Sequence, residues 1–74
     1  MKSFNGYRSW NGWNISLWIN NDEHAYFYAL DLVKQHGRRT ATVIMNHELN
    51  GSRTPDGATY NFISIYNALN EIED

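Results

Sequence analysis

Three histidines, eight carboxylates, six basic residues and eleven aromatic rings are the side chains of this chain that could do chemistry. A metal site needs ligands that converge. His24, His36 and His47 fall in three different segments, and none has a second histidine three or four residues away. No metal centre is expected from them. Asp22-Glu23-His24 has a simpler reason to exist, because acidic residues favour the positive N-terminal end of a helix. The chain has no Cys, and the Gly-x-Ser-x-Gly elbow, the phosphate-cradling Walker loop and the Gly-x-Gly-x-x-Gly fingerprint are all absent. Asp22, Glu23 and Asp31 could be paired carboxylates, but Asp31 reads better as part of a solvated helix face opposite Leu30. An enzyme is not expected, and no cofactor is implied.

Binding is the better use of these residues. The basic set is Arg8, Lys34, Arg38, Arg39 and Arg53, and Lys34, Arg38 and Arg39 should converge around one helix end. Helix-dipole complementation and solubility explain that grouping, and a local anion-binding patch is the sharper alternative. A dedicated nucleic-acid binder would carry a strongly basic footprint, whereas the net charge here is −2. Nucleic acid is therefore the rival partner and not the expected one. The aromatic residues stand out more. Trp10, Trp13 and Trp18 with Tyr7, Tyr26, Phe27 and Tyr28 exceed what one face of a small core needs. Consecutive helical residues diverge by about 100°, so Tyr26, Phe27 and Tyr28 cannot all face one core. Protein interfaces are enriched in aromatics and Arg. The candidate partner-binding residues are accordingly Trp10, Trp18, Phe27, Tyr28, Arg38 and Arg39, against a foreign protein or a second copy. A tryptophan-lined pocket for a small molecule is a further alternative.

The elements that must position these side chains are short. Ser9 suits a helix N-cap. After it, WNGWNISLWINND fits two templates: helical spacing groups Trp10, Trp13 and Leu17 with Trp18 beside them, while alternation groups Trp13, Ile15, Leu17 and Ile19 as a strand. The Ser9 cap and the Asn20-Asn21-Asp22 stop favour the helix. A second helix runs from about 22 to 36, capped by Asn21 or Asp22 and stopped by Gly37, with Tyr26, Ala29, Leu30 and Val33 as its apolar stripe and Ala25 and Leu32 widening it. Thr40 can cap a third, Ala41 to Leu49, with Val43, Ile44 and Met45 inward, His47 extending the stripe, and Asn50-Gly51 closing it. Ser52-Arg53-Thr54-Pro55-Asp56-Gly57 is a turn. A last helix from about Tyr60 to Glu73 carries Ile65, Leu69 and Ile72 in one stripe, flanked by Phe62 and Tyr66, and its acidic end should fray. Asn5-Gly6 signals an opening turn. The expected fold is all-α, three or four short helices in a single domain, or α+β if Trp13–Ile19 is a strand.

Composition bounds the rest. Seventy-four residues allow one domain at most, near the small end of what folds unaided. At 42% hydrophobic and 15% aromatic the chain is too apolar for a disordered tail. No apolar run is long enough to span a membrane, no signal-peptide h-region follows Met1-Lys2-Ser3, and the absence of Cys reads as cytosolic. A thin core without disulfides must be compensated by large aromatics or by self-association. Ten Asn residues read partly as punctuation, since Asn favours caps and turns.

The stretch Asn5 to Glu23, NGYRSWNGWNISLWINNDE, resembles a group of small uncharacterised proteins of bacteriophages and other mobile elements, whose N-terminal signature runs Asn-Gly-Tyr, Ser/Thr-Trp, Trp-Asn, Leu-Trp, Asn-Asp-Glu. The likeness covers about a quarter of the chain well and extends loosely through Tyr-Ala-Leu-Asp and Arg-Thr-Pro-Asp-Gly. It carries no assigned activity. What it implies is a viral accessory protein of the bacterial cytoplasm. Such proteins commonly act by binding a host protein, including defence machinery such as CRISPR effectors.

Overall fold

The computed structural model describes residues 9–70 and residue 72. Four helices follow one another: α1 Trp10–Asn21, α2 Glu23–His36, α3 Arg38–Leu49 and α4 Phe62–Leu69. Among the described residues there is no strand, and a single isolated antiparallel bridge joins Arg53 to Thr59. The fold is all-α, and Trp13–Ile19 is helical. Ser9 decides that start: its extended backbone lets its hydroxyl accept from the Gly12 N–H at 3.0 Å, while its carbonyl accepts from Trp13. One of the orphan N–H groups of the first turn is thereby satisfied.

The first three helices are joined by single residues. Asp22 closes α1 with its backbone N–H on the Trp18 carbonyl and opens α2 with its carboxylate on the Ala25 N–H. Gly37 donates to the Val33 carbonyl and accepts from the Ala41 N–H, with φ at +87°, a conformation that disfavours any side chain. That corner overturns the expected start of α3. Thr40 is not its cap: the helix begins at Arg38, directly after Gly37, and no side chain caps it. Arg38 and Arg39 therefore sit in the first turn of α3 and not at the end of α2.

α4 is shorter than its apolar pattern suggests. Asn61, extended at φ −151°, caps it through Oδ1 on the Ser64 N–H, so Tyr60 lies outside. The chain leaves the helix at Asn70, and Ile72 is buried from beyond it, its N–H on the Leu69 carbonyl. The Asn5-Gly6 turn, Tyr7, Arg8 and the acidic Glu71, Glu73 and Asp74 lie outside the described residues.

α1 lies beside α4 and α2, and α3 lies beside α2 and α4. The enclosed core is aliphatic: Ile15 and Ile19 from α1, Ala29, Leu32 and Val33 from α2, Ala41 and Met45 from α3, and Ile65, Ala68 and Leu69 from α4, closed by Ala58 and Ile72. None of the aromatic rings among the described residues is fully buried, so the core does not gain its bulk from them. Leu30 packs only half-buried against this cluster, Ile44 likewise, and Val43 and His47 are exposed, contrary to the expected stripes.

The buried face of α1 is the reverse of the one its tryptophans suggest. Gly12, Asn14, Ile15, Ser16 and Ile19 point inward, while Trp10 and Leu17 are exposed. Small residues four apart explain the choice. Gly12 and Ser16 on α1 meet a partner helix whose Ser64 and Ala68 are also buried and also four apart. Three indoles could not lie on that seam. The two helices run in the same direction, as Asn11 reaches Ser64 and Asn20 reaches the Ala68 carbonyl.

A candidate protein-binding surface

Much of the polar chemistry of α1 is directed at the chain itself. Asn11, Asn14 and Trp18 share one helical face at spacings of three and four, and all three grip the loop between α3 and α4. The Asn11 side chain treats the Thr59 backbone as a strand neighbour would, accepting from its N–H at 2.8 Å and donating to its carbonyl at 3.0 Å. Asn14 is 2% exposed. Its Oδ1 accepts from the Thr54 hydroxyl at 2.6 Å, and its Nδ2 donates to the Asp56 carboxylate at 2.9 Å. Trp18 Nε1 donates to the same Asp56 oxygen at 3.0 Å. Within the loop, Thr54 Oγ1 also accepts from the Ala58 N–H, and Gly57 donates to the Thr54 carbonyl. A buried amide is tolerated here because both of its ends are paired.

The donors from Asn14 and Trp18 favour the charged form of Asp56 and hold its carboxyl below the ordinary range, against a smaller opposing effect of burial. Sequence spacing hid this latch because Asn reads as punctuation. The signal available was the i, i+3, i+7 placement of Asn11, Asn14 and Trp18 in a helix with no charged residue at all.

Arg38 is likewise engaged. Its Nε and one terminal nitrogen donate to the Tyr66 carbonyl at 2.9 and 2.7 Å, and its guanidinium lies 3.7 Å from the centroid of the Tyr66 ring. Tyr66 belongs to the last turn of α4, whose carbonyls lack helical partners, so a cation there supplies both donors and a favourable charge. Arg38 ties the start of α3 to the end of α4. Arg39 is exposed, 5.8 Å from the Phe62 ring centroid. The Tyr28 hydroxyl donates to Glu48 at 2.6 Å, joining α2 to α3. That bond, with lesser help from burial and the Glu48 charge, raises the hydroxyl's pKa.

The six expected partner-binding residues therefore divide. Trp18, Tyr28 and Arg38 make specific intramolecular bonds, although the Tyr28 ring remains 41% exposed. Trp10, Phe27 and Arg39 are exposed. Phe27, at 57%, touches Tyr26 edge-on at 5.6 Å between centroids and otherwise faces out. Leu17, which helical spacing groups with Trp10, joins them. Leu17 and Trp18 line a groove with Asn21, Asp22 and Glu23, and Glu23 also lines a second with His24 and Phe27. The two grooves thus meet at Glu23, with Leu17 and Trp18 of α1 on one side, Phe27 of α2 on the other, and polar residues at the Asp22 corner between them.

The basic residues among those described are spread over three elements. Lys34 ends α2, Arg38 is tied to α4, Arg39 lies on α3 and Arg53 in the latched loop. Among the described residues no group of three His or carboxylate side chains could hold a metal ion, and no helix is long and apolar enough to cross a membrane.

No curated protein and no solved structure matches the chain. A family of unknown function, DUF7249, matches residues 1–74, and the chain belongs to that family.

Proposed function

We propose that this protein acts by binding another protein through the apolar surface of α1 and α2, with Trp10, Leu17 and Phe27 as contacts. The observation that carries the reading is Phe27. It sits in the second turn of a well-capped helix, 57% exposed, where covering the ring would gain about 1.5–3 kcal/mol. Isolated apolar residues on a surface need no explanation. Phe27 is not isolated, since the two grooves that share Glu23 connect it to Leu17 and Trp18. Large aromatics left outside an aliphatic core are the composition of an interface centre.

The partner we propose is a host protein in the bacterial cytoplasm. Support comes from the resemblance of Asn5–Glu23 to small phage-encoded proteins, and a defence component such as a CRISPR effector fits the same reading. Inhibition would follow from occlusion, with no chemistry. The experiment is affinity capture from bacterial lysate with mass spectrometry, run in parallel for the unaltered chain, Phe27→Ser and Arg53→Ala. Partners that Phe27→Ser loses and Arg53→Ala retains support the proposal. Partners lost with Arg53→Ala and retained by Phe27→Ser would favour the basic, nucleic-acid-linked alternative. Sedimentation equilibrium tests whether a second copy occupies the same surface.

A further inference from the structure

We propose that Asn50 is a site of spontaneous covalent modification, deamidating through a succinimide while the other described Asn-Gly and Asp-Gly pairs are protected by the fold. The chemistry is intrinsic to the dipeptide. The backbone nitrogen of Gly51 attacks Asn50 Cγ, forming an N–Cγ bond. The side-chain amide leaves as ammonia, taking up the proton that the nitrogen releases. Water then opens the ring at either carbonyl, giving aspartate or its isomer with the main chain routed through the side chain. Glycine favours the reaction because no Cβ hinders the attacking nitrogen.

Three described pairs have this chemistry available, and the structure separates them. Asn11-Gly12 is inside α1: the Gly12 N–H is bonded to Ser9 Oγ, and both ends of the Asn11 amide are held by Thr59. Asp56-Gly57 is locked as well, its carboxylate held by Asn14 and Trp18 and the Gly57 N–H on the Thr54 carbonyl. Asn50-Gly51 is different. Both residues are exposed, Asn50 has left the helix at ψ 124°, and Gly51 turns at φ +84°. Among the described residues no hydrogen bond engages the Gly51 N–H or the Asn50 side chain. The rotation about the Asn50 Cα–C bond that brings nitrogen to Cγ therefore breaks no bond of either group, and opens only the exposed turn that the Ser52 N–H closes on the Leu49 carbonyl.

The product would act on the fold. A carboxylate at residue 50 sits at the negative end of α3, two residues from Glu48, where neither the dipole nor the neighbour favours it. The isomerised form also lengthens the main chain just before Ser52, whose N–H closes the turn on Leu49.

Folded protein is incubated at neutral pH and 37 °C for days, then digested and mapped by mass spectrometry, beside a urea-unfolded sample. Asn5-Gly6 is scored separately. In the folded sample Asn50 should convert at least about tenfold faster than Asn11, because Asn11 reacts only after local opening. In urea the two should convert at similar rates. The Asn50→Gln variant should remove the fast modification and leave the Asn11 signal unchanged. Equal rates at Asn11 and Asn50 in the folded sample would overturn the proposal. So would an Asn50 that stays intact over the time in which the unfolded chain converts.

Discussion

Replacing Asn14 by Ala tests the latch between α1 and the α3–α4 loop. Among the described residues the change removes the acceptor of the Thr54 hydroxyl, on a residue 4% exposed, together with one of the two donors to Asp56. Leaving a buried hydroxyl without an acceptor costs about 1–3 kcal/mol, and the lost volume in a close-packed seam adds to that. A total of about 2–3 kcal/mol is expected, against a stability of about 4–11 kcal/mol for a chain of this length. In a domain of this size each kcal/mol moves Tm by about 4–8 °C, so thermal denaturation should show a fall of about 10–20 °C. Tryptophan fluorescence gives a second readout, because one of the three indoles, Trp18, shares Asp56 with Asn14 and should shift before global unfolding. Asn14→Asp should be no milder: it keeps the acceptor but places a second carboxylate against Asp56. A Tm for Asn14→Ala within about 2 °C of the parent would refute the latch.

Other outcomes follow from the same contacts. Arg38→Ala should cost about 1–2 kcal/mol through the lost α4 cap and the lost stack on Tyr66, and Arg38→Lys should not restore it, since an ammonium cannot supply the planar pair of donors; urea denaturation measures both. Leu69→Ala and Ile65→Ala should each cost about 2–4 kcal/mol, and Leu30→Ala clearly less, because Leu30 is only half-buried. Asp56 has a depressed pKa in the fold, so its stabilising effect is present above the ordinary carboxylate value of about 3.9 and is lost as pH falls through the folded value. Asp56→Asn should flatten the acid limb of the stability profile. Tyr28 and Tyr60 have raised pKa values, the first mainly from its bond to Glu48 and the second mainly from burial. Both should ionise above the ordinary tyrosine range near about 10, with stability falling as pH rises past it, as followed by ultraviolet titration.

The helices were legible where capping chemistry is local. Ser9, Asp22 and Gly37 each act through atoms of their own or the next turn, and their roles follow from residue type. Strong periodicity likewise placed Ala29 and Val33 on α2 and Ile65 and Leu69 on α4 in the core. The inward face of α1 was not legible, because residue size points to the opposite side from the one helix packing selects. A seam of Gly12, Ser16, Ser64 and Ala68 leaves no room for indoles, and that constraint lives on another helix fifty residues away. The latch and the Arg38 cap were hidden for the same reason. Each joins residues at least 28 positions apart, and neither leaves a mark in local spacing. Thr40 was assigned a cap that Gly37 made unnecessary, since one residue in a left-handed conformation ends α2 and begins α3 together. The exposed aromatics were half legible. The divergence of Tyr26, Phe27 and Tyr28 required at least one to face out, and two do.

The central claim is that Phe27 and the apolar surface around it serve a partner and not the fold. Phe27→Ser, measured for both thermal stability and association, tests it most directly. The account predicts a Tm close to that of the parent and loss of the captured partner, or of self-association in sedimentation equilibrium. A large fall in Tm would show that Phe27 supports the core, and unchanged partners with an unchanged Tm would show that the surface is idle; either result contradicts the claim.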